Sequence, residues 1–237
     1  MVKDSTCLYA LQDEQWDVIV MQQMNHRAGM DFEYDGSWKV VADYLMNNQD
    51  HQPKLAFHMT WTNPDDYETY LNDNAPLKNP SPASWRNTHE QYWKNPTTGK
   101  YDQSLQYLDI ARCIKTYLVD DTSLIGRPYD YIIPAGTAVE YAQDVLGLSQ
   151  AEVYRDYTHM NDYGRLITAY TWYATIMGID EISEMNVDAV PANLKHKNSK
   201  YPVADADGNY TITAQMKEDL IASVNWALKN PLSLPEK

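Results

Sequence analysis

Three short apolar runs, each separated from the next by a stretch of helical periodicity, constrain this chain more than any other feature. They are Trp16-Asp-Val-Ile-Val-Met-Gln-Gln23, Lys54-Leu-Ala-Phe-His-Met-Thr-Trp61 and Tyr129-Asp-Tyr-Ile-Ile-Pro134. Their β-branched and aromatic content, short length and polar flanks suit strands buried on both faces of a parallel sheet. Between them, Gly36-Ser37 opens a helical pattern with Ser37 as candidate N-cap and Val40, Val41, Tyr44 and Leu45 on one face. Leu105, Leu108, Ala111, Ile114, Tyr117 and Leu118 trace a second face from Tyr101 to about Asp120. A helix is expected at about 137 to 146, ended by Gly147. Tyr163, Leu166, Ile167, Tyr170, Ala174 and Met177 give the most regular amphipathic helix, ended by Gly178. Such alternation predicts parallel pairing, right-handed crossovers and a three-layer α/β/α sandwich.

The remaining stretches are less regular. Residues 62 to about 100 read as a long irregular insertion, and 180 to 212 as an irregular tail before a last helix from Ala214 to Lys229. Asp205-Ala-Asp-Gly-Asn209 is acidic enough for a calcium loop, but the later ligand spacing is absent and an Asp-Gly turn explains it. The expected organisation is one α/β domain over residues 1–180, with 181–237 as a C-terminal extension whose last helix packs on the same domain.

With 19 basic and 33 acidic residues, the chain carries a formal charge of −14, which repels phosphate backbones and anionic membranes. Nucleic acid and membrane are therefore excluded as expected partners, and a neutral or cationic small molecule fits better. Two cysteines, Cys7 and Cys113, offer neither a disulfide framework nor a cysteine-rich metal site, though one bridge could form. The six histidines show no metal-binding spacing, so no metal or other cofactor is expected. Nineteen Tyr and seven Trp against two Phe favour aromatic surfaces that are also wet, as in carbohydrate clefts, although most such residues lie at core boundaries in any fold.

The chemistry-bearing stretch is Asp156-Tyr-Thr-His159. The acid can orient a neutral imidazole and stabilise the imidazolium, while His159 can take a proton from a nucleophile and return it to a leaving group. Alone, a D-x-x-H is more often a capped turn with a surface histidine. In open α/β sheets, however, ligands bind beyond the carboxyl ends of the strands. Those ends carry Gln22, Gln23 and Asn25, then Trp61 and Asn63, then Gly136 and Thr137.

Trp16-Asp-Val-Ile-Val-Met-Gln-Gln23, His58-Met-Thr-Trp61, Ile133-Pro-Ala-Gly-Thr-Ala138 and Arg155-Asp-x-x-His-Met-x-x-x-Gly-Arg165 together resemble the SGNH (GDSL-type) hydrolase superfamily, and more closely a bacterial subgroup still labelled a domain of unknown function. The resemblance runs from about residue 8 to 180. It implies a flavodoxin-like α/β/α fold and a Ser/Asp/His esterase site, with Asp156 and His159 as acid and base. It further implies that Gln22, Gln23 or Asn25 serves the oxyanion; from their position at the strand ends alone, Trp61, Asn63, Gly136 and Thr137 are expected to line the substrate pocket.

The departure from that pattern lies at the start. Members open with a strand ending in Gly-Asn/Asp-Ser, which supplies the nucleophile, followed by a block whose glycine serves the oxyanion; this chain carries neither. Ser37 reads as a helix cap, and Cys7 has no base near it in sequence. The expectation is thus an ester hydrolase of carbohydrate or other acyl esters whose first strand-helix-strand portion, nucleophile included, lies upstream of this chain, so that the chain alone is inactive. That missing segment, or a partner, would cover an exposed sheet edge. By the same resemblance the protein is secreted or periplasmic, with its signal in the missing portion. The competing expectation is a non-catalytic carbohydrate-binding or scaffold protein derived from the same fold.

Overall fold

The computed structural model describes residues 15–34, 36–47, 52–65, 89–124, 126–190 and 205–236. The three apolar runs form one sheet: β1 (Val18–Gln22), β2 (Lys54–His58) and β3 (Tyr131–Ile133), in the order β1-β2-β3 and all parallel. Val18 pairs with Lys54 and Gln22 with His58, while Ala56 pairs with Tyr131 and His58 with Ile133. Their carboxyl ends therefore finish together. β2 is buried along Leu55–His58, whereas Val18–Met21 of β1 are half-buried because no strand among the described residues pairs with its outer side.

Helices cover both faces. α1 (Gly36–Asn47) and α2 (Gln103–Ile114, continued by a π-helical turn at Lys115–Asp120) pack on one side with Leu55, Phe57 and Met59. On the other lie α3 (Ala135–Asp144), the one-turn α4 (Gln150–Val153), α5 (Asp162–Met177) and α6 (Ala214–Lys229), joined by a small antiparallel pair of β4 (Ala189–Val190) and β5 (Tyr210–Thr211). The alternation along β2 follows from strand periodicity: odd positions enter the α1/α2 core, and His58 points to α5. The architecture is a mixed α/β fold with a parallel sheet, as the alternation predicts. α6 packs directly on α3 and α5.

Several expected faces are rotated. On α1 the buried residue is Trp38, stacked 5.7 Å from Tyr34, with Val41 partly buried; Val40 is 57% exposed, and the side chain of Leu45 lies outside the described residues. On α2 the core face is Tyr107, Ile110, Ala111 and Ile114, and Leu108 is 46% exposed. Polar Gln103 and Gln106 occupy buried positions there instead, because they serve the polar network described below. At the end of α5, Met177 is exposed. The helix expected from about 137 begins at Ala135, so Gly136 and Thr137 sit in its first turn.

The tail is more ordered than expected at its two ends, where β4 and β5 pair; residues 191–204 between them, like the 66–88 part of the expected insertion, lie outside the described residues. The Asp205–Asn209 turn closes on itself, since the Asp205 carboxylate accepts from the amides of Asp207 and Asn209. No helix among the described residues is long and apolar enough to cross a membrane.

Candidate active site

The segment between α4 and α5 is a tight loop with tied ends. Tyr154 and Met160 form an antiparallel bridge, the Arg155 amide donates to the His159 carbonyl at 2.9 Å, and the Asn161 amide donates to Val153 O at 2.9 Å. Asn161 then caps α5 by accepting from the Gly164 amide and donates its own amide to Ala151 O. Gly164 has to be glycine: an added Cβ would lie 2.4 Å from Val153 O. Local chemistry thus starts α5 at one place and leaves the four residues of Asp156–His159 displayed before it.

Within the loop, both carboxylate oxygens of Asp156 lie 2.9 Å from His159 Nδ1, and Oδ1 also accepts from the amides of Thr158 and His159. Burial alone raises a carboxyl group, but the imidazole and the two amides outweigh it and hold Asp156 below the ordinary carboxylate value. Arg155 Nε stands 3.8 Å from Oδ2 and favours the same charge. Asp156 is 8% exposed and the His159 side chain 57% exposed. An ionised carboxylate on Nδ1 fixes the tautomer that carries hydrogen there and leaves Nε2 as the basic nitrogen.

The strand ends hold this loop from beneath. Trp61 Nε1 donates to Thr158 O at 2.7 Å, and Asn63 Nδ2 donates to Tyr157 O at 2.7 Å. Asn25 and Thr158 exchange bonds, the amide donating to Oγ1 at 2.8 Å and the hydroxyl to Oδ1 at 3.0 Å. Gln106 reaches up from α2: its carbonyl oxygen accepts from the Asn63 amide and the Tyr101 hydroxyl, and its amide donates to Asn25 O. Tyr157 packs below with Met30, Trp93 and Tyr101. Residues after β1 and β2 are therefore brought to the Asp156/His159 loop, as braces of its backbone.

The other expected site residues stand elsewhere. Gln22 is exposed, and Gln23 donates to Glu33 O at 3.0 Å, away from the loop; neither hydrogen-bonds Asp156 or His159. Asn25 is near the loop, but its amide is engaged by Thr158. Asn63 is 1% exposed and lies behind the loop; Trp61 is half-buried and does line a groove. Gly136 and Thr137 are buried packing residues. A Cβ on Gly136 would come within 2.2 Å of Thr60 O, and the fully buried Thr137 hydroxyl bonds Tyr107 Oη and Pro231 O. The glycine is there so that α3 can press against the end of β2. Cys113 is buried, which pushes its thiol up to about 12 and makes it a poor nucleophile; Cys7 lies outside the described residues.

Three further groups had little sequence signal. His58 is buried and held neutral, its pKa lowered to about 4 by desolvation, with Nδ1 accepting from Trp172 Nε1 at 2.8 Å. Trp172 was identifiable only as the residue seven positions after Arg165 on one helix face. Glu140 is fully buried beneath Thr62, with Oε2 accepting from Thr62 Oγ1 at 3.3 Å and Gln103 Nε2 at 3.1 Å. Burial first, and then the Asp144 charge, push it up to about 8.

No protein-family model matches the chain, and no curated protein matches it. Among solved structures, the chain is similar to the crystal structure of a DUF4886 family protein from Bacteroides uniformis ATCC 8492, a bacterial family of unknown function. The match has a TM-score of 0.62 at 21% identity and covers 97% of this chain and 69% of that one. At this identity the likeness shows the shared fold.

Proposed function

We propose that this protein is an SGNH-type ester hydrolase acting on carbohydrate or other acyl esters, with Asp156 and His159 as its acid and base. The observation that carries this reading is the placement of both Asp156 oxygens 2.9 Å from His159 Nδ1, in a loop clamped onto the carboxyl ends of a parallel sheet. In this reading Nε2 takes the proton of a serine hydroxyl as the hydroxyl attacks the ester carbonyl. The imidazolium, stabilised by Asp156, then returns that proton to the leaving alcohol. Water repeats the sequence on the acyl-enzyme.

The described residues place no hydroxyl in hydrogen-bond contact with Nε2. The nucleophile is assigned to a Gly-Asn/Asp-Ser segment outside them, on a strand that would pair along the side of β1 where no described strand lies. That missing contact also favours the second reading, a binding protein that keeps the cleft without the chemistry. Hydrolysis of p-nitrophenyl acetate separates the two. The test compares the 237-residue chain with a version extended by in-frame sequence upstream of Met1, each with a His159→Ala control. Turnover confined to the extended form and abolished by His159→Ala supports the hydrolase. Turnover in neither form supports the binding protein, and turnover in the short form that His159→Ala abolishes puts the nucleophile inside this chain.

A further inference from the structure

α5 leaves the candidate active site with an unusual outer face. Arg165, Thr168, Ala169 and Trp172 recur at helical spacing along its solvent side and, together with Trp61, line an open groove of about 380 Å³. Trp61 is the residue whose indole clamps Thr158, next to His159, so the groove begins at the loop itself. Ala169 is shared with a second open groove of about 610 Å³, walled by Tyr170, Tyr173, Glu181 and Glu184 among others. The two grooves adjoin at Ala169.

Its chemistry is specific. Trp172 is half-buried and held by its bond to His58, Trp61 is half-buried against the same imidazole, and Tyr173 is 54% exposed, so aromatic side chains line the grooves where a helix ordinarily presents flexible charged residues. Concave surfaces lined by aromatic side chains are common ligand sites. Along the edges stand polar groups that suit hydroxyls: Thr168 in the first groove and, in the second, Asn186, Glu184, which accepts from Asn186 Nδ2 at 3.3 Å, and Glu181, which is paired with Lys229 at 3.3 Å. The Arg165 guanidinium at the near end is already paired with Asp162 at 3.2 Å. Carboxylates at the far end and the net charge of −14 disfavour an anionic chain.

We infer that the outer face of α5 is an extended binding track for a neutral oligosaccharide, stacked on Trp61, Trp172 and Tyr173 and leading away from His159. The orientation of the chain, with its ester at the His159 end, rests on the hydrolase reading; the track itself does not.

Isothermal titration with ester-free cellobiose, cellohexaose and xylohexaose, with hexagalacturonate as the anionic comparator, tests the inference. At least one neutral hexamer is expected to bind about tenfold or more tightly than the disaccharide. Trp172→Ala and the surface variant Tyr173→Ala each are expected to weaken it, Trp172→Ala by about tenfold. Should Trp172→Ala fail to fold, the exposed Tyr173 variant carries the test. Absence of neutral hexamer binding, affinity independent of chain length, tighter binding of hexagalacturonate, or a dimer in light scattering that Tyr173→Ala dissolves would each overturn the track. Length-dependent binding without hydrolysis of small esters removes only the enzymatic reading. Hydrolysis without such binding removes only the track.

Discussion

Asp156 and Glu140 are both buried carboxyl groups near the end of β2, yet their environments push them in opposite directions. Asp156 accepts from two backbone amides and an imidazole, with Arg155 close by, and is held as the anion. Glu140 accepts from one amide side chain and one hydroxyl, faces the Asp144 charge, and is pushed up to about 8. Burial is common to both and decides neither case alone. What decides is the number of N–H donors aimed at the oxygens and the sign of the nearest charge. The histidines repeat the contrast. His58 is buried with an indole donor on Nδ1, and desolvation keeps it neutral, whereas His159 has a carboxylate on the same atom and an exposed ring. Asp156 and His159 brace each other, whereas Glu140 and His58 are held inside the packing.

The comparison can be broken by experiment. The largest effect is expected from Asp156→Asn in a hydrolytically active form of the protein. The amide would present the wrong hydrogen-bonding partner to Nδ1, and under the proposed hydrolase reading turnover should fall by about 10⁴, the loss this change causes in a Ser-His-Asp triad. A loss below tenfold in kcat would mean that Asp156 is a turn residue. Stability follows the same logic.

His58, about 4 when folded against 6.5 unfolded, contributes stability that is complete above pH 6.5 and is lost as pH falls toward 4. The loss should reach about 3 kcal/mol, visible as a drop in Tm between pH 7 and 4.5 that His58→Gln reduces. A wild-type and His58→Gln pair with parallel acid limbs would refute the assignment.

Glu140 runs the other way. Its folded value lies above the unfolded one, so the stabilisation is complete below about 4.5 and is lost as pH rises through about 8. Glu140→Gln keeps an acceptor for Thr62 and Gln103 and removes the charge, so it should stabilise the protein by about 2 kcal/mol at pH 9 and by much less at pH 5. Equal effects at both pH values in urea melts would show that Glu140 is already ionised. The smallest effect is expected from Trp172→Phe, which removes the donor to His58 and should cost about 1 kcal/mol, read as a lower urea midpoint at unchanged slope. It should also raise the tendency of His58 to take a proton, which brings its folded value closer to 6.5 and makes the acid limb shallower.

The sequence by itself determined the strands, their parallel pairing and the Asp156–His159 contact. Those features are local: period-2 and period-3.6 patterns, glycine stops and a three-residue spacing that lets Asp156 reach His159 within one tied loop. Even the last helix, Ala214–Lys229, has the bounds its pattern predicts. Tertiary structure decided the rest. Whether Val40 or Trp38 faces the core, and whether Leu108 or Gln106 is buried, depends on what lies opposite, and Gln106 is buried because Asn25 and Asn63 descend from other elements to meet it. Gly136 and Thr137 looked like cleft residues because they follow a strand, but the approach of α3 to the Thr60 carbonyl, set by packing, put them inside. The charges of Asp156, Glu140 and His58 belong to the same class, since a pKa is fixed by the donors, charges and water that the whole fold gathers around a group, and residues 78 to 114 positions away supply some of them.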